Sequence, residues 1–132
     1  MMKSREPLIR AKRFQIDDKR RRLAQIDMMI SEFERMALDL DRDIAAEERR
    51  SGMTDPRHFA YPPLAMAARN RRDNLTHSVG ELKTQREEAS AALAEAEADL
   101  ALVEAAGELD RSAKVEARPR RAAWRTAEAV RP

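Results

Sequence analysis

An all-α fold, in which two long helices fold back on each other as an antiparallel coiled-coil hairpin, is predicted by three observations. Apolar residues recur at alternating steps of three and four through two long segments. Charged residues make up 38% of the 132 positions and aromatics only 4%, the bias of a long helix or coiled coil rather than of a thick globular core. Between the two segments lies SGMTDPRHFAYPP (Ser51 to Pro63), which holds one of the chain's three glycines, three of its six prolines and two of its five aromatics. Gly52 suits positive φ just past a helix end, and Asp55-Pro56 suits a turn start. Tyr61-Pro62-Pro63 stops a helix but fits the first turn of the next one. The turn is therefore placed at 51–62, between helices at about 4–50 and 63–118.

The first helix is given Ser4 as N-cap, with Glu6 and Pro7 in its first turn. Ile9, Ile16, Leu23, Ile30, Ala37 and Ile44 take heptad position a. Position d is then Lys12, Lys19, Ile26, Phe33, Leu40 and Glu47, so the seam is apolar from Leu23 to Ile44 and charged at both ends. Met29 and Met36 fall at g and broaden the central face. Phe14 falls at f, away from the seam, as a surface aromatic or part of a docking surface. The KRRR run at 19–22 reads first as a solvated face.

In the second helix Ala68, Leu75, Leu82, Ala89, Ala96 and Val103 take d, and Arg72, Val79, Arg86, Leu93, Leu100 and Gly107 take a. Ala89 and Ala96 permit close approach, with Phe33 and Leu40 large enough to fill the space opposite. Gly80 and Gly107 each cost about 1 kcal/mol relative to alanine, and Gly107 is expected where the seam frays. Arg118-Pro119 is expected to end or kink the helix. This leaves a basic tail, 119–132, with Trp124 its one large apolar group.

The net charge of +2 is unevenly spread. Residues 1–22 carry +6 and residues 111–132 carry +5, whereas 23–110 carry −9. An antiparallel fold brings the two basic segments together. There is no cysteine, which excludes disulfide and thiolate chemistry and suits a reducing compartment. No apolar run approaches the roughly 20 residues of a membrane span, and no signal-peptide core follows the basic start. Three scattered glycines make no phosphate loop, and His58 and His77 have no zinc-site partners. Two helices enclose no pocket that would shift a carboxylate toward catalysis. The sequence thus predicts a protein that is not an enzyme, with no catalytic residue, metal or cofactor.

Several stretches, MKSREPLIRAKRFQIDDKRR (2–21), ISEFERMALDLDRDIAAEE (30–48) and above all DPRHFAYP (55–62) followed by AARNRRDNL (67–75), resemble the FliJ family of flagellar type III export proteins in its alphaproteobacterial form. The resemblance covers about residues 2–110, and its turn segment is the most specific part. It implies a cytoplasmic stalk, peripheral to the inner membrane at the flagellar base and similar to the coiled coil of the rotary ATP synthase γ subunit. Such a stalk enters the pore of the export ATPase hexamer, contacts the cytoplasmic domain of the membrane export gate and handles export chaperones.

Charge clustering and the resemblance together put ATPase-ring binding at Arg10, Lys12, Arg13, Phe14, Lys19, Arg20 and Arg21, with Arg118, Arg120 and Arg121 beside them. Matching the turn segments puts the export-gate contact at about Leu64, Ala68, Arg71 and Leu75, with Phe59 and Tyr61 close by. That stripe requires the seam to be open near the turn, where Glu47, Glu48, Arg49 and Arg50 offer no apolar partner. The alternative is a basic-tipped adaptor for nucleic acid or an anionic membrane. It is disfavoured by the few aromatics at the tip and the lack of a reading motif, so no nucleic-acid partner is expected. A generic coiled-coil scaffold is the third possibility.

Overall fold

Heptad spacing on both sides of one proline-rich break produces two helices, α1 (Met2–Ser51) and α2 (Pro63–Val130), packed against each other as an all-α hairpin. This computed structural model describes the backbone of residues 2–130 and the side chains of residues 5–115. The helix starts at Met2, so Ser4 is not its N-cap, and Pro7 lies inside it. α2 likewise runs past Pro119, where the sequence predicts an end. An interior proline removes one hydrogen bond and bends a helix without having to stop it. The flanking Ala- and Arg-rich residues are strong helix formers.

The chain divides into two compact units, Arg20–Ala91 and Met1–Lys19 with Ala92–Pro132. In the first, Ile26, Ile30, Val79 and Leu82 form the core, and Phe33 and Ala89 pack against it. Ile26 is 1% exposed. Every predicted a and d position of this unit is buried or half-buried except Arg86. Arg86 reaches sideways to pair with Asp27.

Cross-helix ion pairs fix the register. Asp27 with Arg86 and Asp41 with Arg72 add up to 113 in residue number, and Glu34 with Lys83 and Glu48 with Arg69 to 117. Residue i of α1 thus faces a residue near 115 − i. Ala89 falls opposite Ile26 rather than Phe33, one heptad from the expected alignment.

The second unit has a thinner apolar seam. Ile16 is buried, and Ile9, Leu93, Leu100 and Val103 are half-buried. Charged groups supplement it: Arg5 pairs with Asp110 and also donates to the Ala106 carbonyl at 2.9 Å. Gly107, expected where the seam frays, is buried, and the nearby Ala106 carbonyl and Asp110 carboxylate are held by Arg5.

Candidate partner-binding surfaces

The bend is built from backbone chemistry. Gly52 adopts φ 73° and its N–H donates to the Glu48 carbonyl at 2.9 Å, the left-handed helix ending that glycine makes cheap. Asp55 opens the turn: its carboxylate accepts from the Arg57 N–H at 3.0 Å and its carbonyl from the His58 N–H at 3.1 Å. His58 Nδ1 accepts from the Ala60 N–H at 3.0 Å, which places the ring proton of the neutral imidazole on Nε2. Pro62 offers its carbonyl to the Met66 N–H at 3.0 Å, and Pro63 is the first residue of α2.

The seam is closed at this end, against expectation. Tyr61 is 6% exposed and donates its hydroxyl to Glu48 Oε1 at 2.8 Å. Arg69 stands 3.9 Å from the same oxygen. Burial raises the Tyr61 pKa above its ordinary value, the Glu48 carboxylate raises it further, and Arg69 opposes them. Ala65 and Ala68 are buried beside this polar contact. The charged end of α1 thus supplies a polar partner where the sequence offered no apolar one.

The proposed gate-binding stripe is therefore split. Tyr61 and Ala68 are buried and Leu75 is half-buried, so these three belong to the seam. Leu64, Arg71 and Phe59 are exposed. Phe59 is 96% exposed and stacks on His58 at 4.6 Å between centroids. One step inward along α2, Arg72 is held by Asp41 at 3.0 Å and Asp73 at 3.0 Å, carboxylates that raise its pKa and keep it charged.

Among the basic candidates, Arg10, Arg13, Phe14, Arg20 and Arg21 are exposed, whereas Lys12 and Lys19 are half-buried at their d positions. Lys12 pairs with Asp99 at 3.2 Å and Arg13 with Glu104 at 2.9 Å. An open groove of about 750 Å³ beside them is lined by four arginines (Arg5, Arg10, Arg13, Arg111) and three glutamates (Glu6, Glu104, Glu108). Its charges nearly balance, so it is not a cationic slot for a polyanion. The side chains of Arg118, Arg120, Arg121 and Trp124 lie outside the described residues.

Sequence reasoning missed Asp110, Asp99 and Glu104 as partners of Arg5, Lys12 and Arg13 in the basic segment, and Glu48 as partner of Tyr61. Each would have been found by aligning the helices from the turn outward. Among the described residues no group of three potential metal ligands exists, and no helix is long and apolar enough to cross a membrane. No family model, no curated protein and no solved structure matches the chain.

Proposed function

We propose that the chain is a non-catalytic stalk component of the flagellar type III export apparatus. On this reading it works in the cytoplasm at the flagellar base, binds the export ATPase ring and the export gate, and so couples ATP hydrolysis to protein export. The observation that carries the reading is the segment Asp55 to Pro62. It is the stretch most specific to the FliJ resemblance, and it is the bend between the two helices of a hairpin. The exposed cations Arg10, Arg20 and Arg21 support ring binding, and exposed Phe59, Leu64 and Arg71 support gate binding. Export chaperones are the remaining partners that the resemblance implies.

The test is binding of the full chain to the flagellar export ATPase of the same bacterium, measured as a function of salt. Arg10→Glu with Arg20→Glu and Arg21→Glu should weaken binding at least tenfold and flatten its salt dependence. Circular dichroism should stay unchanged, because these side chains are exposed. No binding by the unaltered chain overturns the function, and unaltered binding by the triple variant overturns the basic site. Duplex DNA and anionic phospholipid vesicles form the control arms. Tighter binding there than to the ATPase would establish the adaptor reading instead.

A further inference from the structure

The open groove between α1 and α2 carries its charges in a definite order. It lies within one compact unit and has two rims. α1 contributes Glu6, Arg10 and Arg13, and α2 contributes Arg111, Glu108 and Glu104. Read inward from the chain ends, the first rim runs acidic, basic, basic and the second runs basic, acidic, acidic. The levels match as well. Glu6 with Arg111 and Arg13 with Glu104 each add up to 117 in residue number, and Arg10 with Glu108 to 118.

Only one of these three cross-rim pairs is made within the chain. Arg13 meets Glu104 at 2.9 Å. Arg111 turns back to Glu108 on its own helix. Glu6 and Arg10 are exposed and make no ion pair among the described residues. Arg5, the fourth arginine of the groove, is held by Asp110 and the Ala106 carbonyl. Between the rims the lining is apolar, with Ile9 half-buried and Ala101 and Ala105 exposed.

Two rims of opposite charge order are what a two-fold interface requires, because there residue i meets j while j meets i. A second copy turned about an axis along the helices keeps every residue at its own level. It lays its α1 rim on this α2 rim, and its α2 rim on this α1 rim. Glu6 then meets Arg111, Arg10 meets Glu108 and Arg13 meets Glu104 between chains, each pair twice. Every helix has only antiparallel neighbours in the resulting four-helix arrangement, as in an up-and-down bundle. The alanines let the backbones approach closely enough to cover Ile9. A foreign helix flanked by one sign of charge would meet unlike charge on one rim and like charge on the other. We infer that this groove is the seat of a second copy of the chain, joined to the first by a two-fold axis along the helices. The inference does not rest on the export reading.

Sedimentation equilibrium of the full chain measures the association. Arg10→Glu alone or Glu108→Arg alone should raise the dimer Kd at least tenfold, because each sets like charges together twice. An equimolar mixture of the two variants should dimerise as the unaltered chain does, since both contacts are then opposite pairs again. Arg10→Glu with Glu108→Arg in one chain restores the charge order and should dimerise too, which a chain that had merely lost its fold would not. Melting curves should be unchanged, because both side chains are exposed. Arg35→Glu makes the same change of charge at an exposed position of the other unit and should leave Kd unaltered. An equal loss there would make the association one of net charge and overturn the inference. An unaltered chain that stays monomeric up to about 1 mM also overturns it. So does a dimer that neither reversal weakens, or a mixture of the two folded variants that stays monomeric.

Discussion

Tyr61 shows how much one side chain at the bend decides. Its ring is buried, and its hydroxyl makes a part-buried hydrogen bond to Glu48. Tyr61→Phe should cost about 1–2 kcal/mol at pH 7 in thermal or urea unfolding, toward the low end for a hydrogen bond to a charged group because the contact is only part-buried. The folded-state pKa is raised above the ordinary 10.0. Below that pH both folded and unfolded phenols are protonated and the contribution is complete. It is lost as pH rises through the folded pKa, because the unfolded phenol ionises first. The stability gap between the unaltered chain and the Tyr61→Phe variant should therefore narrow above pH 10; a gap that widens there would contradict the contact. Two glycines give the opposite kind of prediction. A Cβ at Gly80 meets nothing within 4 Å, and one at Gly107 meets only Arg111 Nη2 at 3.9 Å. Gly80→Ala and Gly107→Ala should each add about 0.5–1 kcal/mol and raise Tm by several degrees. Gly52→Ala, at φ 73°, should lower Tm, because alanine strains at positive φ.

For the helices, the heptad pattern was enough to find the seam, since a side chain's face follows from its position modulo seven. It was not enough to find the alignment. A seven-residue repeat permits any shift by one heptad, and Phe33 against Ala89 satisfied the pattern as well as Phe33 against Leu82. The ion pairs that break the degeneracy, such as Asp27 with Arg86 and Asp41 with Arg72, use charges that the apolar pattern ignores. Within the seam, energetic weight follows burial. Ile26→Ala should cost about 2–5 kcal/mol by losing transfer energy and leaving a cavity. Arg86→Ala, at an equivalent seam position, should cost at most about 1 kcal/mol, because its ion pair is half in solvent. Urea unfolding of the two variants checks the contrast, and comparable losses would mean that Arg86 contributes more than its exposure allows.

For the whole chain, composition excludes a thick core, and among the described residues the buried set is short and holds no polar or charged residue; the two helices follow from the apolar spacing and the proline-rich break. The candidate sites were less legible. A net +6 over residues 1–22 reads as a free cationic patch until the facing carboxylates are located. The expected opening at the bend was inferred from missing apolar partners, whereas a phenol–carboxylate pair fills it. Hydrogen exchange should follow the same distribution of contacts. Amides near Ile26, Ile30, Val79 and Leu82 should exchange more slowly than those near Ile9, Leu93 and Leu100, whose side chains are only half-buried. Equal protection would show that ion pairs stabilise as much as apolar contact does. Finally, Tyr61 is the only tyrosine in the chain. A phenol that donates to a carboxylate absorbs at longer wavelength than one that donates to water. Once Trp124 is replaced by Phe to remove the overlapping indole absorption, the near-ultraviolet tyrosine band is therefore a built-in optical gauge of whether the bend is latched, readable without any label while a partner is added.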